Sequence, residues 1–172
     1  MPSIISFVGL SGSGKTTLLE KIIKDLKSRG YKVATVKHAG HGSSLDEPGK
    51  DSYRHLQAGS DATIVYAHGR LMLIKPVPED IELEAILAEF GDEPDIILVE
   101  GFKSSQTPKI EVHRKVVGPP LKGLKKLLAI ATDEPLKTKT RQFSLDDADG
   151  ITDFIEAGLL KPKQPPRRAL HK

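Results

Sequence analysis

The chain opens with a compact apolar run and then changes period. Ile4 to Val8 is a β-branched and aromatic stretch that stops at glycine, and from Lys15 the apolar residues Leu18, Leu19, Ile22, Ile23 and Leu26 recur at helical spacing. Strand, glycine-rich loop and helix follow in that order. Gly30 stands where a left-handed C-cap belongs, and Tyr31 to Val36 reads as a second strand, so the first segment is a βαβ unit with a right-handed crossover. A polar stretch, Lys37 to Ala62, predicts a long loop and one short helix over Lys50 to Ala58, capped by Gly59. ATIVYA and RLMLIK then flank His68-Gly69 and predict an antiparallel hairpin. Both hairpin faces are apolar, which implies cover by another chain or another layer.

Beyond the hairpin, Pro78 to Phe90 predicts a helix with acidic residues in its first turn, where the dipole favours them. Asp95 to Val99 reads as a fully buried strand, Lys109 to Arg114 and Leu127 to Thr132 as two more, and Asp146 to Gly158 as a closing helix. The alternation specifies an α/β fold, a mainly parallel sheet flanked by helices on both faces with a β-hairpin extension, and the glycine-rich loop from Gly9 to Thr16 between its first strand and helix, of the form G-x-x-x-x-G-K-[ST], makes that fold P-loop NTPase-like. One nucleotide-binding domain is expected over residues 1–160, followed by a disordered basic tail over 161–172.

Charge changes the picture only at that tail. The 172 residues carry 26 Lys and Arg against 23 Asp and Glu, a net +3. Five cations (Lys161, Lys163, Arg167, Arg168 and Lys172) lie in the proline-rich tail with no acid among them, so the rest of the chain is slightly acidic. A broad surface for nucleic acid is therefore not expected. Cysteine is absent, which removes disulfides, thiolate metal sites and thiol nucleophiles. The N-terminal apolar stretch has no basic flank and is interrupted by glycine and serine, so no membrane anchor is expected and the reading is cytoplasmic.

The chemistry is carried by Gly9-Leu10-Ser11-Gly12-Ser13-Gly14-Lys15-Thr16, which satisfies G-x-x-x-x-G-K-[ST] between strand and helix. Gly9, Gly12 and Gly14 let the backbone curl so that successive N–H groups face one phosphate, and the helix N-terminus adds a favourable dipole. Lys15 is expected to reach the β- and γ-phosphates, Thr16 to ligate Mg²⁺, and Ser13 and Thr17 to donate to phosphate. Glu100 ends the buried strand DIILVEG, the position from which an acidic residue meets the metal or its water. Lys15 and Glu100 are thus the candidate catalytic pair, and Thr16 and Glu100 the candidate metal ligands. Asp133, after the strand ending IAT, could accept both N1–H and N2–H₂ of guanine, a pair adenine lacks; it could equally be an ordinary turn residue. The loop holding Lys37, His38, His41, Lys50 and Asp51 mixes groups suited to phosphate and to metal, and is read mainly as a site for an anionic ligand near the γ-phosphate.

Taken in order, the P-loop, KHAGHG, DEPGKDSYRHLQAG, IILVEGFK and KIEVHR resemble the molybdopterin-guanine dinucleotide biosynthesis protein B (MobB) family from Ile4 to Asp133. The resemblance implies GTP binding, slow or partner-dependent hydrolysis, a homodimer, and an accessory role beside the guanylyltransferase that attaches GMP to molybdopterin. The DxPGKDS element is carried by Asp46, Pro48, Gly49, Lys50, Asp51 and Ser52, whereas Gly42, Ser43 and Ser44 stand where the family pattern is often acidic. Two other readings compete with a GTP-binding accessory protein. A small-molecule kinase needs a water-excluding lid that bears arginines, yet Arg29, Arg54, Arg70, Arg114 and Arg141 are scattered along the sequence. A binding module without turnover, holding the pterin phosphate, is the third. No glutamine stands in the expected switch loop to orient water, since Gln57 falls in the short helix.

Overall fold

The computed structural model describes residues 1–39 and 46–162. The expectations for His41, for Gly42 to Ser44 and for the tail beyond Pro162 concern residues outside those described. The elements in chain order are β1 (Ser3–Val8), α1 (Lys15–Ser28), β2 (Val33–Lys37), α2 (Asp51–Gln57), β3 (Thr63–Ala67), β4 (Arg70–Ile74), α3 (Leu83–Leu87), β5 (Ile96–Glu100), β6 (Lys109–His113), β7 (Leu127–Thr132), β8 (Arg141–Ser144) and α4 (Ala148–Leu159). They fall into two compact units, one of residues 1–38 with the segment from Leu83 onward, the other of residues 39–82.

In the first unit, six strands form one sheet in the order β2-β5-β1-β6-β7-β8, and every pair is parallel. A parallel sheet must be covered on both faces. On one face α1 and α4 supply Leu18, Leu19, Ile22, Leu26, Ile151 and Ile155 against Ile5, Phe7 and Ile110. On the other, Leu83 and Leu87 of α3 pack on Val36, Ile97 and Val99. Ile5, Phe7, Ile22 and Leu26 are wholly buried, and each such side chain contributes roughly 1.5–3 kcal/mol. Helix α1 ends as anticipated: the Arg29 and Gly30 amides donate to Asp25 O and Lys27 O, with Gly30 at φ 85°.

Two local expectations are corrected. The predicted helix over Pro78 to Phe90 is shorter, because Ile81 N donates to Pro78 O in a tight turn; α3 starts only at Leu83 and closes in a single 3₁₀ turn, Ala88–Phe90. Strand β8 was not foreseen. Its four residues, RQFS, bury only Phe143, so the strand exists by pairing with β7 from Ala129↔Arg141 to Thr132↔Ser144 and carries no periodic signal of its own.

The second unit holds α2 and the β3–β4 hairpin, paired from Thr63↔Ile74 to Ala67↔Arg70. Its turn places His68 at φ 49° and Gly69 at φ 73°, the two positive dihedrals that suit the twist of a two-residue hairpin loop. Ile64, Tyr66, Leu71 and Met72 are exposed.

Candidate functional site

The end of β1 delivers the chain into a loop that only glycine can form. A Cβ on Gly9 would lie 2.3 Å from Val112 O and 2.8 Å from Ser13 Oγ, while Gly12 and Gly14 sit at φ 79° and 94°. Gly14 is also the N-cap of α1 and offers no capping side chain, and the first turn carries no acidic residue. The N–H groups of that turn, with the positive end of the helix dipole behind them, form a cradle for an anion.

Lys15 bends back over the loop, its Nζ donating to Leu10 O at 2.8 Å and Gly9 O at 3.2 Å. Burial pushes its pKa down from the ordinary lysine value; the Glu100 carboxylate acts in the opposite direction and Lys37 adds to the fall. Thr16 Oγ1 lies 3.1 and 3.0 Å from the two carboxylate oxygens of Glu100. The register of β1 with β5, Phe7↔Glu100, and of β2 with β5, Lys37↔Glu100, brings these residues to one sheet edge, with Lys37 Nζ 3.9 Å from Glu100 Oε1. His38 is anchored beside them by its amide on Glu100 O at 2.9 Å and by its ring against Phe102, centroids 4.8 Å apart. Gly101, at φ 103°, is required there, since a Cβ would come within 2.9 Å of His38 Cβ.

Lys15, Thr16, Glu100, Lys37 and His38 are therefore brought together at this edge. Thr17 and Asp133 share a second cleft of about 280 Å³ with Gly14, Lys21 and Arg114. Asp133 has one oxygen engaged: its Oδ1 accepts the Lys115 amide at 2.8 Å and fixes the turn after β6. Ser13 is turned beneath the loop rather than out of it. It is buried, and its hydroxyl has no partner among the described residues, as has Glu111 Oε2; both face the same small space under Leu10 and Gly118. Lys50 and Asp51 lie in the second unit, where Lys50 pairs with Glu47 at 3.4 Å and Asp51, the first residue of α2, with Arg54 at 3.6 Å.

Three polar residues of β6 escaped the sequence reading as site neighbours. Lys109, Glu111 and His113 alternate on one side of the strand and are buried. Lys109 donates to Ser105 O and Thr107 O at 2.5 and 2.9 Å, Glu111 Oε1 accepts the Leu121 amide at 2.6 Å, and His113 Nε2 lies 3.1 Å from Glu134 Oε1. Their period-2 spacing in KIEVH was the available signal. Arg114, set aside with the scattered arginines, stands at the P-loop itself, since a Cβ on Gly14 would be 3.4 Å from its Nη2. Of the others, Arg29 is paired with Asp25, Asp153 and Glu156, Arg54 with Asp51, and Arg141 lies over Phe143 and Phe154.

The donor set suits a hard divalent cation with a phosphate. A hydroxyl and one carboxylate face each other at the mouth of the cradle, the few-ligand arrangement that Mg²⁺ completes with water and phosphate oxygens. No cluster of three His, Cys, Asp or Glu occurs among the described residues. Among the described residues no helix is long and apolar enough to cross a membrane.

Comparison with known proteins points to one family. Residues 4–133 match the profile of the MobB family, described as molybdopterin guanine dinucleotide synthesis protein B. The chain is 37% identical over 155 residues to a molybdopterin-guanine dinucleotide biosynthesis adapter protein of Haemophilus influenzae, covering 89% of this chain and 87% of that one. It is also 37% identical over 161 residues to the Escherichia coli protein of the same description, covering 90% and 92%. Among solved structures, Bacillus subtilis MobB superposes with a TM-score of 0.72 at 30% identity, over 94% of this chain and 99% of that one.

Proposed function

The chain belongs to the molybdopterin guanine dinucleotide synthesis protein B family, and from that premise we propose that it binds GTP with Mg²⁺ as an accessory protein in molybdopterin guanine dinucleotide biosynthesis. The observation that carries the nucleotide part is the pairing of Thr16 with Glu100 at the mouth of the P-loop, with Lys15 and Lys37 beside it. Bound there, Mg²⁺ would supply charge neutralisation for the terminal phosphates. The backbone of Gly12, Gly14 and Lys15 would hold the phosphates, Lys15 would donate to the β- and γ-oxygens in place of its loop carbonyls, and Thr16 with Glu100 would hold the metal or its water. Thr17 donates on the nucleoside side, and Asp133 offers its second oxygen to guanine. His38, at the edge beside Glu100, is assigned to an anionic ligand in this reading, the pterin phosphate.

Hydrolysis is weak or depends on a partner. The site has Lys15 to stabilise charge and Glu100 to hold the metal, but the switch loop brings no glutamine to orient water. The partner in this reading is the molybdopterin guanylyltransferase of the cytoplasm. A homodimer also fits: a two-stranded hairpin exposing Ile64, Tyr66 and Leu71 is marginal by itself and gains stability when a second copy covers it.

Calorimetric titration with GTP and ATP, with and without Mg²⁺, followed by phosphate release over hours, tests the proposal. Mg²⁺-dependent preference for GTP with slow release is expected. Preference for ATP with transfer to an acceptor hydroxyl would replace it with a kinase, and absence of nucleotide binding would leave the pterin phosphate as the ligand.

A further inference from the structure

The sheet order divides the P-loop's surroundings in two. β5 and β2 lie on one side of β1 and carry Glu100, Lys37 and His38, whereas β6 and β7 lie on the other and lead into Arg114 and Asp133. Val8 pairs with Glu111 in parallel register, so the residues after Glu111 leave the sheet at the same edge as the P-loop. That register sets the Arg114 guanidinium against Gly14, in the cleft shared with Thr17 and Asp133.

The position is held from two directions. Lys115 N donates to Asp133 Oδ1 at 2.8 Å, and Val117 N to Arg114 O at 2.9 Å, so the backbone around Arg114 is fixed by hydrogen bonds at the strand ends. Among the described residues no carboxylate pairs with the guanidinium, in contrast to Arg29, Arg54 and the Lys37–Glu100 pair. A guanidinium beside an anion cradle, on a fixed backbone and with no carboxylate partner among the described residues, is placed for a ligand's charge. In the reading above, Lys15, Thr16 and Glu100 serve the metal and the terminal phosphates, with Glu100 on the other side of β1 from Arg114.

We propose that Arg114 binds the phosphate nearest the nucleoside, the α-phosphate, of the nucleotide held by the P-loop. The proposal rests on the nucleotide-binding reading above. A guanidinium keeps its charge at any working pH and can offer two parallel N–H donors to one phosphate, so it adds affinity and also fixes the sugar end as it enters the cleft of Asp133. Because the α-phosphate is common to di- and triphosphates, Arg114 contributes equally to both.

The test is calorimetric titration of the full chain and of Arg114→Gln and Arg114→Lys with GTP and GDP in the presence of Mg²⁺. Arg114→Gln is expected to weaken GTP and GDP alike by about tenfold or more. Arg114→Lys retains the charge without the fork and should lose severalfold; it serves as the readout if the Gln variant melts early. Wild-type binding of GTP with less than a twofold change in both variants overturns the proposal and leaves the P-loop reading intact. A loss confined to GTP overturns it too, by moving Arg114 to the γ-phosphate. Failure of the wild-type chain to bind either nucleotide overturns the underlying reading and the proposal with it.

Discussion

Thr16 and Glu100, 84 positions apart, meet with the threonine hydroxyl 3.0–3.1 Å from both carboxylate oxygens. Strand β5 inserts between β2 and β1, and its last residue is therefore set opposite Phe7, two residues before the P-loop. If this pair organises the metal, Glu100→Gln should bind GTP with little or no enhancement by Mg²⁺. Titrations at zero and millimolar Mg²⁺ check this; full enhancement in the variant would remove Glu100 from the metal site.

Lys15→Ala should lose nucleotide affinity by at least about thirtyfold, since a charge-assisted hydrogen bond is worth about 2 kcal/mol. The melting temperature should move little, because the hydrogen bonds of Lys15 Nζ go to carbonyls of its own loop. Calorimetry and a thermal melt read the two effects separately, and wild-type affinity in the variant would defeat the P-loop assignment.

Asp133→Asn keeps an oxygen for the Lys115 amide but puts an NH₂ where the second carboxylate oxygen stood. The preference for GTP over ATP should fall about tenfold or more, with the fold intact. An unchanged ratio would leave Asp133 as an anchor for the turn after β6 and nothing more.

Burial pushes the Glu111 carboxyl above its usual range, against the weaker pull of the Leu121 amide and His113. The folded state then holds that proton more tightly than the unfolded one, so Glu111 favours folding in acid and opposes it increasingly as pH rises above the ordinary carboxylate range. Glu111→Gln mimics the neutral form, and its stability relative to wild type should improve between pH 4 and pH 7. Denaturant or thermal melts across that range supply the comparison; parallel curves would mean that Glu111 does not titrate differently on folding.

Tyr31 donates to Glu156 at 2.6 Å, and Arg29 reaches the same carboxylate at 2.6 Å, so α1 and α4 are joined at their ends. The Tyr31 hydroxyl first, and Arg29 next, hold the Glu156 carboxyl below its usual range. Its contribution is present above the ordinary carboxylate pKa and is lost as pH falls through the lowered folded value. Tyr31→Phe should cost about 1 kcal/mol near neutral pH and less in acid, as chemical denaturation would measure.

Much of this was legible before any coordinates. Helix α1 has a clean 3.6-residue period, β5 is an uninterrupted apolar run, and the P-loop announces itself through glycines whose positive φ no other residue accepts cheaply. Strand β8 and the late start of α3 were not legible. The first depends on a neighbour's free edge, and the second on a turn at Pro78 that suppresses an otherwise helical composition. The place of Arg114 beside Gly14 was not legible for a related reason: it follows from the β1–β6 register, and register is a property of pairs of strands.

The sequence by itself determined the local chemistry, that is, which residues curl into an anion cradle, which strand ends in a carboxylate and which family pattern the blocks follow, because each is written in contiguous residues. The tertiary structure alone decided which distant groups meet. Strand order set Glu100 and Lys37 on one side of the cradle and Arg114 and Asp133 on the other, and packing turned Ser13 and Glu111 inward. The physical reason is that hydrophobic burial and turn preference act over a few residues, whereas strand pairing and enclosure are settled only when the whole sheet closes on its core.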